Sequence, residues 1–334
     1  MATVTAVRTS GHSGVWRLAV CSMVFLLALI AAPATQAASG TVNVFYAGSL
    51  ANTNENLIGP AFAAATGVTY QGKAAGSLAI VNQIKGKIVT PDVVELADPA
   101  VNAALMGPAN GNFVSWYFTY ARSELVIGFD PTSRFAPAFR AVQHHKLPFY
   151  PALEQSGLRF GRTDPNLDPK GYRVIFMAGL AQQVYHLRGF KNRLLGSDNN
   201  ADQVFPEEGL VARLLTGQVN AGVFYLSEVR DLGIPYISLP AKINLGNAKY
   251  SKLYATQHFT STQGAKFTGA PIQFTITIPS TAKNPGGAEA FVHFVLSRRV
   301  RAVAAAHGLL SFKVAVGGDR AAVPSSLVGF IGQR

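Results

Sequence analysis

A single cysteine, Cys21, stands in the 334 residues, and it falls inside an apolar stretch near the start of the chain. A disulfide framework, a cysteine metal site and a thiol nucleophile are therefore excluded from everything that follows it. Acidic residues are also scarce, 17 against 29 lysines and arginines, which leaves a formal net charge of +12. No run of five or more basic residues occurs. The excess suits attraction of small anions, and its scatter argues against a nucleic-acid tract. Neither a G-x-S-x-G nucleophile elbow nor an H-E-x-x-H zinc motif is present. The longest apolar run, Leu18 to Ala32, is about 15 residues, short of the roughly 20 that a spanning helix needs.

What that run offers instead is a secretion leader over residues 1–37. Arg8 and Arg17 supply the basic segment, LAVCSMVFLLALIAA the apolar core, and Ala34-Thr35-Gln36-Ala37-Ala38 small residues for cleavage after Ala37 or Ala38. An uncleaved anchor is the alternative. The expectation is a secreted protein, in the periplasm or on the outer cell surface. Its length supplies a core without disulfides.

Two short turns organise the rest. Phe45-Tyr46-Ala47-Gly48-Ser49-Leu50 follows an apolar run, and Ala74-Ala75-Gly76-Ser77-Leu78 precedes a helical pattern. Gly48 and Gly76 let the backbone approach a ligand closely. Ser49 and Ser77 add hydroxyl donors to free N–H groups at the positive end of a helix, a combination that holds anions. One such turn reads equally well as an ordinary Ser N-cap. Two near-copies in one chain favour the anion reading.

Thr41–Phe45, Val68–Gln71 and Asp92–Leu96 read as strands, with helices over Asn56–Ala65 and Leu78–Lys85 between them. That rhythm predicts an α/β fold with a mostly parallel sheet, whose ligands sit beyond the carboxyl ends of the strands. Further strands are expected at Glu124–Phe129, Leu158–Arg162, Val219–Tyr225, Tyr236–Leu239 and Pro271–Pro279, and one long helix over Gly287–His307. Ile243–Phe267 reads as irregular, and the tail after Phe312 as weakly patterned and partly disordered. The architecture inferred is two lobes: lobe I from 38–122 and 280–334, lobe II from 123–279. The crossovers are placed at Leu125–Phe129 and Phe274–Ile278, with a ligand cleft between the lobes.

Two Asp-Pro pairs mark the loop from Thr163 to Arg173 as turn-rich. Asp168 reads either as the cap of a helix with Pro169 at its first position, or as a carboxylate pointed into the cleft. Adjacent pairs elsewhere read as structural. His144-His145 lies in a loop, and Glu207-Glu208 opens a helix, where negative charge suits the dipole.

With these residues in hand, the chain resembles a known family. The carriers are the two Ala-Gly-Ser turns, Trp116-Tyr117 before Ala121-Arg122-Ser123-Glu124-Leu125-Val126, the block Gly161-Arg162-Thr163-Asp164-Pro165-Asn166 with Asp168-Pro169 and Gly171-Tyr172-Arg173, and Ile243-Asn244-Leu245-Gly246-Asn247. They are similar to the extracytoplasmic substrate-binding proteins of molybdate/tungstate ABC transporters, in the tungstate-binding branch, over about residues 41 to 312. The resemblance implies a two-lobed type II periplasmic-binding fold and an oxyanion held by Ser49, Ser77 and backbone N–H groups. It implies that Asp168 is a carboxylate ligand to the molybdenum or tungsten of the oxyanion. It also implies an ABC permease with its ATPase as partner, a monomer, no cofactor, no catalytic residue and no nucleic acid. The family's second carboxylate, a Glu in the strand before the Tyr, is Phe224 here. Two like charges at about 4 Å cost several kcal/mol at an intermediate dielectric, so Asp168 must either bind the metal centre or turn away. The expectation is a four- or five-coordinate oxyanion with Tyr225 donating through its hydroxyl or N–H, and with Glu228 as a weaker substitute. Replacing Phe224 with Glu is expected to favour tungstate. Alternatives are another anion, phosphate above all, whose proton needs an acceptor such as Asp168, sulfate or an organic anion, or a secreted enzyme.

Overall fold

Residues 39–333 are described by a computed structural model; the leader expected over 1–37, with Cys21, lies outside the described residues. The strands are β1 Thr41–Ala47, β2 Thr69–Ala75, β3 Val93–Leu96, β4 Trp116–Arg122, β5 Leu125–Phe129, β6 Phe160–Thr163, β7 Val204–Phe205, β8 Ala221–Tyr225, β9 Tyr236–Ser238, β10 His258–Thr260, β11 Lys266–Thr268, β12 Gln273–Thr277 and β13 Leu310–Gly318. They form two principal sheets, one per lobe. The first runs β13-β4-β12-β3-β1-β2 and the second β7-β6-β8-β5-β9, with β10 and β11 as a separate hairpin.

In the first sheet β1 pairs in parallel with β2 and β3, and β12 closes antiparallel onto β3 and β4. Alternation buries Val42, Val44 and Tyr46 of β1 on the core side. Phe62 is wholly buried and meets Phe291 and Phe294 edge-on at 5.2 and 5.7 Å; each such ring contributes about 1.5–3 kcal/mol. In the second sheet β6 pairs in parallel with β7 and β8, while β5 runs antiparallel to β8 and β9.

Several expectations are corrected. β12 is an internal strand of the first sheet, so lobe II ends before it and Phe274–Ile278 is not a crossover. β5 likewise belongs wholly to the second sheet. The chain changes sheets between Arg122 and Leu125, and returns before Gln273. There the Ser123 N–H donates to the Ile272 carbonyl at 3.4 Å, tying the two crossings together. The tail forms β13 on the edge of the first sheet, paired with β4 across a register shift. The long C-terminal helix breaks into Pro285–Leu296 and Arg298–Ala306, because Ser297 takes an extended conformation and its hydroxyl caps Val300 N–H.

The first helix begins earlier than expected. From Gly48 the backbone is helical through Thr66, with a 3-10 turn at Gly48–Leu50 and a π turn at Asn54–Ile58, and Gly67 closes it at φ 74°. Gly48 and Ser49 therefore lie in the first turn of a helix. Within 243–267, expected as irregular, sit a short helix, Ser251–Tyr254, and the first strand of the hairpin.

Candidate functional site

β1 and β2 deliver the two turns to the same edge of the first sheet, in parallel register from Thr41↔Thr69 to Ala47↔Ala75. Gly76 caps the helix Ser77–Lys85. A Cβ on Gly76 would stand 2.4 Å from the Leu167 carbonyl oxygen, so only glycine fits. That carbonyl, from the opposite lobe, accepts from the N–H groups of Leu78 and Ala79 at 3.0 and 3.2 Å. Ser77 is fully buried, and its Oγ accepts from Ala97 N–H at 3.0 Å, which leaves its own proton to donate. Ser49 is buried, and its Oγ has no hydrogen-bond partner among the described residues.

Asp168 is a helix cap, as the first of its two sequence readings expects. It is the N-cap of the helix Pro169–Val184, its Oδ1 accepting from Lys170 N–H at 2.9 Å. Its Oδ2 is buried with no partner among the described residues. Asp168 Cβ lies 3.3 Å from where a Cβ on Gly76 would stand, so the carboxylate borders the second turn.

Gly171 explains part of the GYR block. A side chain there would lie 2.5–2.6 Å from the backbone at Thr163, Asp164 and Pro165, so the helix packs directly on the loop before it. The next two residues cross between lobes. Tyr172 donates its hydroxyl to Asp98 Oδ2 at 2.7 Å. Arg173 donates to the same oxygen at 2.8 Å, to Ala97 carbonyl at 2.7 Å and to the Tyr225 hydroxyl at 2.5 Å. Asp98 uses its other oxygen to cap the helix Pro99–Leu105 through Ala100 N–H.

Tyr225 is buried. Its N–H, expected to reach the ligand, is taken by Glu228 Oε2 at 2.7 Å. Its hydroxyl accepts from Arg173 and keeps a proton to donate. Burial pushes its pKa well up, although Arg173 works against this. Glu228, expected as a substitute ligand, is committed to Lys170 at 2.6 Å as well as to Tyr225. Phe224 is turned into a small apolar cluster with Val126, Leu210 and Leu214, with Lys170 Nζ 5.8 Å from its ring centroid.

Sequence reasoning missed the centre of this group, Lys170. It is wholly buried and pairs with Glu228 at 2.6 Å and Glu207 at 3.3 Å. Burial alone would lower its pKa; Glu228, Glu207 and Asp168 more than reverse that and keep it protonated. Glu207 is raised by burial and by Asp168 against the pull of Lys170, and Glu228 is raised by burial against Lys170 and the Tyr225 N–H. Glu207 is also more than a helix-start residue. Its Oε2 accepts from Gly48 N–H at 2.9 Å, from the other lobe. No local pattern marks Lys170 or Glu207, because both partnerships span 37 or more residues.

A second bridge lies beside the first. Asp231 of lobe II accepts from Thr53 Oγ1 at 2.7 Å and pairs with His307 at 2.8 Å. A separate cavity of about 310 Å³ over the lobe crossings, lined by Arg122, Gln273 and Lys313, borders neither turn.

With this geometry in view, comparison with known proteins is informative. The profile of the bacterial extracellular solute-binding proteins matches residues 42–310. The chain belongs to that family. A protein of Haloferax volcanii named for ABC-transporter molybdenum binding is 33% identical over 71% of this chain and 72% of its own length. The molybdate/tungstate-binding protein WtpA of Thermococcus kodakarensis is 28% identical over 79% of this chain and 80% of its own. Among solved structures, the periplasmic molybdate-binding protein of Azotobacter vinelandii superposes with a TM-score of 0.56 at 18% identity, covering 80% of this chain and 97% of that one. The sulfate-binding protein SubI from Mycobacterium tuberculosis gives 0.53 at 15%, covering 82% and 87%. These likenesses show the two-lobed periplasmic-binding fold. No helix among the described residues is long and apolar enough to cross a membrane.

Proposed function

We propose that this solute-binding protein captures molybdate or tungstate between its lobes and delivers it to an ABC permease with its ATPase. The observation that carries the proposal is a pair of orphaned polar atoms on opposite lobes, Ser49 Oγ and Asp168 Oδ2, both buried without a partner among the described residues. A buried unpaired group costs about 1–3 kcal/mol, and a ligand oxygen and a ligand metal centre would relieve the two. Ser77 and Tyr225 each retain a proton to donate, and Gly48 and Gly76 bring backbone close. The names of the relatives support the choice of oxyanion. In this reading the protein acts as a secreted monomer, with its leader removed, and needs no cofactor and no catalytic group.

Phosphate is the second reading, favoured by one observation: Asp168 Oδ2 is a free acceptor for a ligand proton, which molybdate and tungstate lack at neutral pH. Isothermal titration with molybdate, tungstate, phosphate and sulfate separates the readings. Binding of the first two and not of the others is expected. A response to phosphate alone would replace the ligand.

A further inference from the structure

Glu207 presents a carboxyl oxygen of its own to the first turn. Its carboxylate reaches from the helix Glu207–Leu215 of lobe II to the Gly48 N–H of lobe I, 2.9 Å away. The side chain is 2% exposed. A Cβ on Gly48 would stand 2.7 Å from Glu207 Oε2, so the glycine leaves room for this approach. One residue along, Ser49 Oγ is buried and unpartnered. The N–H that an incoming anion would use is therefore occupied, and the hydroxyl beside it is free. The other carboxylate oxygen is held only loosely, 3.3 Å from Lys170, whereas Glu228 holds the same ammonium at 2.6 Å.

We propose that Glu207 is a tethered competitor that fills the anion cradle of the first turn, and that oxyanion capture requires it to release the Gly48 N–H. The inference rests on the oxyanion reading above. Lys170 gives the displaced carboxylate a destination, since the 3.3 Å contact can shorten once Gly48 is released. The exchange keeps each charge paired: the ligand takes the turn, and the carboxylate moves towards the ammonium. The tether also sets selectivity by charge density, because only an anion that bids more strongly for the N–H than a carboxylate enters.

The test measures molybdate affinity by calorimetry in the wild type, Glu207→Ala, Glu207→Gln and Glu228→Gln, beside a crystal structure of the wild type with tungstate. Removal of a competing hydrogen bond to a charged group should tighten binding by about tenfold or more in Glu207→Ala. Glu207→Gln, which keeps an acceptor, should gain less. Glu228→Gln deletes a charge still closer to Lys170, 2.6 Å against 3.3 Å, without freeing the turn, so it should change affinity least. Equal gains in Glu207→Ala and Glu228→Gln would mean general electrostatics and overturn the proposal. Weaker binding in Glu207→Ala would make Glu207 a ligand group, and overturn it as well. So would a tungstate complex in which Glu207 Oε2 still accepts from Gly48 N–H. If the wild type binds an oxyanion and Glu207→Ala gains nothing, only this inference falls. If neither protein binds any of the four anions, the proposed function falls with it.

Discussion

The Arg173 guanidinium lies 2.8 Å from the Asp98 carboxylate, and the two residues belong to different lobes. Both side chains are almost fully buried. The same arginine holds the Ala97 carbonyl and the Tyr225 hydroxyl, so one side chain joins the first lobe to the tyrosine of the second. Truncating one member of a buried pair leaves the other uncompensated, typically at about 3–5 kcal/mol. Arg173→Met should therefore lose about that much in urea unfolding. It should also open the unliganded molecule, read as a larger radius of gyration in solution scattering. An unchanged radius would mean that this pair is not what holds the lobes.

The two turn serines should behave differently on substitution. Ser49→Ala removes a hydroxyl that has no partner among the described residues, so stability should hold or rise slightly. Oxyanion affinity should fall by about 1.5–3 kcal/mol, the worth of a hydrogen bond to a charged group. Ser77→Ala also strips the acceptor from Ala97 N–H, so it should lower both stability and affinity. Calorimetric titration beside thermal unfolding reads the difference. A stability loss in Ser49→Ala equal to that in Ser77→Ala would contradict it.

Glu95, paired with Tyr46 across β3 and β1, introduces a pH dependence. It is completely buried in β3, and burial pushes its pKa from 4.5 up to about 7, partly opposed by hydrogen bonds from Tyr120 and Asn54 at 2.7 Å each. The folded state thus holds a proton that the unfolded state gives up. Below about pH 4.5 both states are protonated and Glu95 contributes nothing. Stability then declines as pH rises through 4.5–7, and the full penalty stands above that. Glu95→Gln should be about 1–3 kcal/mol more stable than the wild type at pH 8 and nearly equal to it at pH 4. The unpartnered Asn54 Oδ1 can accept from the new amide. Thermal unfolding across pH checks this.

Phe224→Glu is the substitution that the family resemblance favours for tungstate. The structure makes it a stability lesion instead. The ring packs with Val126, Leu210 and Leu214, and Val126 stands directly opposite it in the sheet. Lys170 already serves two carboxylates. A third, entering an apolar cluster, should destabilise by several kcal/mol, seen as a drop in unfolding midpoint of about 2–4 °C for each kcal/mol. A variant that keeps its midpoint and gains tungstate affinity would show that the strand can turn this position to the cleft.

Local pattern was enough to find β1, β2, β3 and the two turns, because alternation, glycine and serine act within a few residues. Asp168 was found for the same reason: an Asp before a Pro at a helix start announces a cap. The membership of β12 in the first sheet was not legible, since its strand pattern fits either lobe and only pairing with β3 and β4 decides. β13 was hidden by a weakly apolar sequence that gains order from β4. Ser297 looked like a helix interior residue, although its hydroxyl is what starts a new helix. Lys170 and Glu207 escaped because burial of charge is a property of the assembled lobes. A lysine after Asp-Pro and a glutamate after Pro206 carry no local sign of meeting.

The bond from the Leu167 carbonyl to the N–H groups of Leu78 and Ala79 joins main chain to main chain. Leu167 is itself exposed, and its side chain takes no part in these bonds. Any residue that keeps the backbone path can therefore stand at 167. Removing or adding one residue between Asp164 and Asp168 would shift the carbonyl off the helix end and swing Asp168 away with it. What this loop hands down is its length, with the identity of Leu167 free to drift.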